Sequence, residues 1–410
     1  MTQSPSRLTL TEHRQVLEWL DALESKELDF ARVQNVHIWA LVGVAALVSS
    51  SERGQRPIHL QCSSDDGPGR FAHAVGFERL IGASASITPV ETQRTVRLRR
   101  VDRLEEIERA AAEISRLLLQ TTESEDTRQT LYYILVEFLR NAVQHSRDLA
   151  GAIVGAQLMD RSSEYEDRPV IQVAVGDAGT GIMASLRQTY PNIRDAHQAL
   201  VSAQQPWVSS TFYPGDRGTS TNAGLGLYFI SEMAKKTAGR FLLASRGGAL
   251  LLEGDRHYEG HHHIAAEPYG FAGTLVGFEL PLGGIEDYQA LIAVIQDEAM
   301  ARIPSRSRVQ WLTFGPAPVG SLSIVVRVGA EDTAHAERLV REHLSPRVSR
   351  GEPIELDFAR LAVCTQSYVH SLLFSVLRAA YAHKTPIHII NASPAVISSL
   401  EFLERYALPA

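Results

Sequence analysis

Three short patterns in this chain put chemistry-bearing residues at spacings that let them act together. Glu137, Asn141 and His145 recur at every fourth position of a helix-patterned segment, which lines up a carboxylate, an amide and an imidazole. Leu131, Ile134, Leu135, Phe138 and Ala142 are expected on the opposite side of that helix. The plain reading of such a row is a solvated face. The sharper one is a site, because buried groups of these types need partners. Asp177-Ala-Gly-Thr-Gly-Ile182 closes the apolar run VIQVAVGD with a carboxylate, followed by Gly179 and Gly181, whose bare backbones admit a ligand. A carboxylate at a strand end can accept a hydrogen bond from an exocyclic amine such as that of adenine. Gly224-Leu225-Gly226 opens an apolar helix after the polar run PGDRGTSTNA, and free N–H groups at such a start suit phosphate oxygens.

The elements that must carry these residues fall into blocks. Residues 1–100 alternate a helical start, short apolar segments and the loop SSDDGPG. Residues 101–120 read as an amphipathic connector helix, with Leu104, Ile107, Ala111, Ile114, Leu117 and Leu118 near helical spacing, a stripe expected to pack into a core, with a dimer seam as the alternative. The middle block, 121–284, predicts a helix over 129–147, a strand over 170–177, a helix near 225–238 and a closing strand, GTLVGFELPL, over 273–282. A linker helix over 285–304 leads to a last mixed block, 305–410. ELDFAR occurs twice, at 27–32 and 355–360, and each copy is followed by PIH at almost the same distance, Pro57 and Pro386. Matched segments at one spacing predict a duplicated β-α-β unit in which PIH opens a second, parallel strand.

Taken in order, ExxxN on a helix, DxGxG after a strand, a GxGL helix start and a closing GTxxxFxLP strand resemble the GHKL superfamily over about 160 residues. That superfamily comprises the ATP-binding domains of gyrase, Hsp90, MutL, histidine kinases and anti-sigma serine kinases. The resemblance implies an α+β chain whose centre is a Bergerat-type sandwich, a mixed sheet under helices, with ATP and Mg²⁺ as cofactors. Asn141 would coordinate Mg²⁺, and Glu137 would be the general base. Asp177 would read the adenine amino group with Thr274 assisting through a water. Gly179 and Gly181 would shape the adenine pocket, while Gly224, Leu225 and Gly226 would hold the phosphates beneath a lid over 185–223. NAVQHS, with His145, looks closest to the histidine-kinase and anti-sigma branch. No Lys lies close to Gly226 on its N-terminal side, so a lid cation would be Arg217 or come from elsewhere. The lid's Trp207, Phe212 and Tyr213 are expected either to close over nucleotide or to pack against a neighbouring domain.

The segment IELDFARLAVCTQSYVHSLLFSVLRAA (354–380) looks like a STAS domain, the fold of anti-sigma factor antagonists, with Ser367 at the place of their phosphorylated Ser. A phosphate at a helix start meets free N–H groups; the plain alternative is an N-cap Ser. The first copy, with His37 and Ile38 there, is expected to be a purely structural STAS-like repeat. His257, His261, His262 and His263 cluster in a loop without a Cys or carboxylate pattern to complete a metal site.

Composition narrows the classes. In 410 residues, 44% apolar and 21% charged residues support several cores, and a net charge of −7 argues against nucleic-acid or anionic-membrane partners. Two distant cysteines, Cys62 and Cys364, form no disulfide framework, and the apolar run Val36–Val48 is too short to cross a bilayer, so a cytoplasmic protein is expected. Three functions follow from the resemblance: a slow ATPase whose lid switches the STAS-like flanks, an anti-sigma-type serine/threonine kinase acting on Ser367 or on a partner's STAS domain, and a nucleotide-binding regulatory module without turnover. The expected partners are ATP, a STAS or other regulatory protein, and a second copy of the chain. A histidine kinase fits less well, because residues 101–120 contain no His.

Overall fold

The run VIQVAVGD is apolar on both sides of its pleat, the mark of a strand covered on both faces. In the computed structural model it lies in a strand whose residues from Val170 to Asp177 are all buried. The structure describes residues 4–23, 27–49, 59–61, 67–83, 95–118, 125–145, 150–162, 165–210, 224–254, 261–266, 270–283, 285, 287–302, 311–326, 333–361 and 363–408, with backbone alone at 27, 59–61, 145, 161 and 261–266. The fold is mixed α/β, with antiparallel and parallel sheets. It divides into two units, residues 1–204 with 230–286 and residues 205–229 with 287–410, so the sequence blocks do not map onto units one to one. The first hundred residues share a unit with most of the middle block.

The first unit begins with β1 (Arg7–Leu8), α1 (His13–Asp21), β2 (Glu27–Asp29), β3 (Asn35–Val36), α2 (Ile38–Ser49), β4 (His59–Gln61), α3 (Gly67–Ala74) and α4 (Phe77–Leu80). It continues through β5 (Thr95–Val101), α5 (Leu104–Leu118), α6 (Glu125–His145), β6 (Ala152–Ser162), β7 (Arg168–Asp177), α7 (Ile182–Leu186) and α8 (Ala196–Ala203). After α9 (Gly226–Lys236), inside which the unit boundary falls, come β8 (Arg240–Ser245), β9 (Gly248–Gly254), β10 (His261–Ala266) and β11 (Thr274–Pro281). Seven strands pair antiparallel in the order β10-β9-β8-β11-β7-β6-β5.

One face of this sheet takes α6, whose Phe138 stacks on Phe241 of β8 at 5.9 Å and meets Phe278 of β11 edge-on at 6.4 Å. Connector helix α5 packs along α6 with Ile107, Ala111, Ile114 and Leu118 of its stripe buried and Leu104 and Leu117 half-buried. The other face takes α2, which is apolar all round and buried from Ile38 to Leu47, as a helix enclosed on every side must be. The strand registers explain why it fits. Gly155, Ala174 and Gly277 stand side by side on β6, β7 and β11, a row of small residues across the sheet. A Cβ added to Gly155 would meet Ile38 Cγ1 at 2.8 Å, so the helix lies almost on the backbone.

Next to that row runs a polar one, Gln157, Gln172, Glu279, Arg240 and Glu253, paired in register across five strands. Glu279 accepts from Gln172 Nε2 (2.5 Å) and from the Tyr165 hydroxyl (2.7 Å), and Gln172 Nε2 lies 2.7 Å from His37 Nδ1, just before α2. A slip of one residue would turn these polar side chains to the other face, so the row fixes the register.

The second unit holds α10 (Tyr288–Ala301), β12 (Leu312–Phe314), β13 (Leu322–Val325), α11 (Thr333–Leu339), a π-helical turn (Val340–Leu344), α12 (Ser345–Val348), β14 (Ile354–Asp357), α13 (Gln366–His383), β15 (Ile387–Ile390) and α14 (Pro394–Ala407). Its four strands are parallel, in the order β12-β15-β14-β13. Glu404 of α14 accepts from the N–H groups of Trp311 (2.5 Å) and Leu312 (2.8 Å) at the start of β12, and burial raises its pKa above the usual carboxylate value despite those bonds. A raised pKa favours folding below the unfolded-state value, and that contribution is lost as pH rises through the folded-state one. Glu404→Gln keeps an acceptor and has no charge to bury. Its thermal midpoint is expected to match the parent's at about pH 4 and to exceed it at about pH 8; an unchanged difference between the two would refute this.

Both ELDFAR copies form parallel β-α-β units. Glu27 pairs with His59 and Glu355 with His388. Asp29 Oδ1 accepts from Ala31 N at 2.8 Å and Asp357 Oδ1 from Ala359 N at 2.9 Å, and Phe30 and Phe358 are both buried after their strands. The helices α2 and α13 begin at the same offset from the two glutamates. No described helix is long and apolar enough to cross a membrane.

Candidate functional site

Asp177 ends β7 and is paired in register with Thr274, the first residue of β11, which is paired in turn with Ser245, the last residue of β8. Alternation along β7 and β11 puts Asp177 and Thr274 on the same side of the sheet as Phe278, the side of α6. Asp177 is 2% exposed, and its Oδ1 accepts from Gly179 N at 2.9 Å, which closes the turn that follows the strand. Gly181 stands before α7 with φ +78°, and a Cβ there would lie 2.8 Å from Ser245 Oγ. Gly273, with φ +153°, has still less room: its Cβ would lie 2.0 Å from the carbonyl oxygen of Asp177. The second glycine of DxGxG and the glycine of GT are therefore needed where three strand ends converge.

Glu137 and Asn141 lie on α6 with one helical turn between them. The helix is not split into a polar and an apolar side as its sequence suggested. It is buried from Thr130 through Arg140 apart from the half-buried Tyr132, and Glu137 itself is 1% exposed. Burial is tolerated because Arg140, 4% exposed and one turn on, donates from a guanidinium nitrogen to Glu137 Oε1 at 3.1 Å. Asn141 Nδ2 is enclosed and has no hydrogen-bond partner among the described residues. The His145 side chain lies outside the described residues.

Gly224, Leu225 and Gly226 belong to the second unit. Gly224 has φ +65° and its carbonyl accepts from Trp207 N at 3.0 Å, Leu225 is buried, and Gly226 is the first residue of α9. Trp207 packs within the second unit. Its ring packs on Phe402 (5.8 Å) and Tyr406 (4.7 Å) of α14, its Nε1 donates to Ala299 O at 3.4 Å, and its φ is +68°, a strained value for a bulky residue. Phe229 meets the same Phe402 at 6.1 Å. Phe212, Tyr213 and Arg217 lie outside the described residues, as do Cys62, His257 and the side chains of His261, His262 and His263. Ser367 is half-buried and is the second residue of α13; the N-cap is Thr365, whose hydroxyl accepts from Tyr368 N at 3.2 Å.

A comparison with family models, curated proteins and solved structures found no match. The site therefore stands on its geometry. Three residues in it were not anticipated: Arg140, Ser245 and Arg246. Arg140 carried a readable signal, since it lies one turn from Glu137. Ser245 and Arg246 carried none, since only strand pairing brings them to the Asp177 turn.

The residues present fit a magnesium nucleotide. Asp177 offers a buried carboxylate beside Gly181 and Gly273, which leave no room for a side chain, and Asn141 offers an enclosed amide whose unpartnered Nδ2 is an N–H donor suited to a phosphate oxygen. Magnesium asks for few protein ligands when phosphates and water supply the rest.

Proposed function

We propose that this chain binds Mg-ATP in a Bergerat-type first unit and hydrolyses it slowly, as a regulatory switch. The observation that carries the reading is the meeting of Asp177, Thr274 and the DxGxG turn on the sheet face that also bears Glu137 and Asn141. Asp177 would accept from the adenine amine with Thr274 assisting, and the backbone of Gly179 and Gly181 would line the base. Asn141 would give its amide oxygen to Mg²⁺, and Glu137 would take the proton of the attacking water. The nucleotide supplies the phosphoanhydride bond and the ion offsets its charge. Trp207 and Phe229 pack on Phe402 of the STAS-like block, within the second unit.

A second reading, a serine kinase, is favoured by Ser367 in the first turn of α13, where a phosphate meets free N–H groups. Purified protein incubated with Mg²⁺ and γ-labelled ATP separates the two. Free phosphate, lost in Glu137→Gln, is the expected result. Label on protein that disappears in Ser367→Ala would replace the ATPase by the kinase, and absence of ATP binding would overturn both.

A further inference from the structure

We infer that Ser245 and Arg246, at the tip of the β8–β9 hairpin, are positioning residues that set base affinity and selectivity by holding the Asp177 turn. This inference rests on the ATP-site reading above. Ser245 Oγ accepts from Ile182 N at 2.9 Å and donates to Gly273 O at 2.7 Å, so one hydroxyl ties the end of the turn to the start of β11. Arg246 donates from Nε (3.1 Å) and from a terminal guanidinium nitrogen (3.0 Å) to Gly179 O. The N–H of Gly179 already goes to Asp177 Oδ1. Both ends of this residue's polar backbone are thus engaged, one by the carboxylate that would read the base and one by the arginine.

Ser245 is itself held, because its carbonyl accepts from Phe271 N at 3.1 Å and Gly270 approaches so closely that a Cβ there would lie 2.1 Å from it. The hairpin tip is therefore a fixed support rather than a loose loop. A turn ordered before the ligand arrives spares the ordering cost on binding, and it aims the carboxylate at one point. Adenine presents an amino donor at its 6-position, whereas guanine presents an oxygen acceptor, which a carboxylate repels. A turn that moves would blur that distinction. Arginine suits the task because its planar fork reaches one carbonyl with two N–H groups, which lysine cannot do.

Equilibrium binding of ATP and of GTP to the full chain tests this, with melting curves alongside. Arg246→Ala is expected to weaken ATP binding about tenfold and to lower the ATP-over-GTP ratio, with a melting midpoint within about 2 °C of the parent because Arg246 is exposed. Arg246→Lys should recover part of the affinity, and Ser245→Ala should reproduce the loss. Parental affinity and ratio in Arg246→Ala would overturn the inference while leaving the ATP site in place. Parental ATP binding in Asp177→Ala would overturn the site reading, and the inference with it.

Discussion

Gly273→Ala is expected to destabilise the first unit by about 3 kcal/mol or more and to abolish nucleotide binding. The added Cβ would lie 2.0 Å from Asp177 O and 2.5 Å from Ala178 Cα, and neither atom belongs to a side chain that could turn away. The backbone at Gly273, with φ +153°, is also one that alanine rarely adopts. Relief requires β11 to part from β7 at the pair Thr274–Asp177, which is the proposed base site. A unit of this size loses roughly 2–4 °C of melting temperature per kcal/mol, so a drop of about 10 °C is expected. Gly283→Ala is the control: its φ is +73° but nothing lies within 4 Å of its Cβ, so it carries backbone strain without collision and should cost about 1 kcal/mol. Equal melting curves for the two variants would refute the account.

What could be read in the sequence depended on how far apart the cooperating residues lie along it. The strand before Asp177, the helix bearing Glu137 and the closing strand at Thr274 were each legible, because each is a local pattern of apolar spacing and turn residues. The cover on the second face of the sheet was not. The run Val36–Val48 read as too short for a membrane and as the helix between ELDFAR and PIH, but its place on the row Gly155, Ala174 and Gly277 exists only once three strands are in register. The repeat of ELDFAR and PIH was legible as a β-α-β unit, since both matched segments lie within it. That the first copy shares a unit with the middle block was not, because the blocks were delimited by composition, whereas the unit is defined by α2 against β6 and β7. Ser245 and Arg246 were hidden for the same reason as the small-residue row: a register brings them to the Asp177 turn.

The pair of Glu137 and Arg140 gives the second large effect, and it governs how any test of the proposed base must be made. Arg140→Ala leaves a carboxylate that is 1% exposed without the guanidinium beside it, and such a loss costs about 3–5 kcal/mol. Glu137→Ala leaves the arginine in the same position and is expected to destabilise comparably, so a loss of activity in that variant would not separate chemistry from folding. Glu137→Gln can. Its amide oxygen still accepts from Arg140, its volume is unchanged, and it cannot take a proton from water. The expected result is a smaller loss of melting temperature than in Glu137→Ala, because the hydrogen bond survives although the Arg140 charge is no longer matched, together with retained ATP binding and phosphate release reduced by about 10²-fold or more. Combining Glu137→Gln with Arg140→Met should cost less than the sum of the single changes, with a coupling of about 1–3 kcal/mol, because the double variant leaves no unmatched charge. Additive losses would mean that the two side chains do not support one another. Undiminished phosphate release in a well-folded Glu137→Gln would remove Glu137 from the chemistry and leave the pair a purely structural feature of α6.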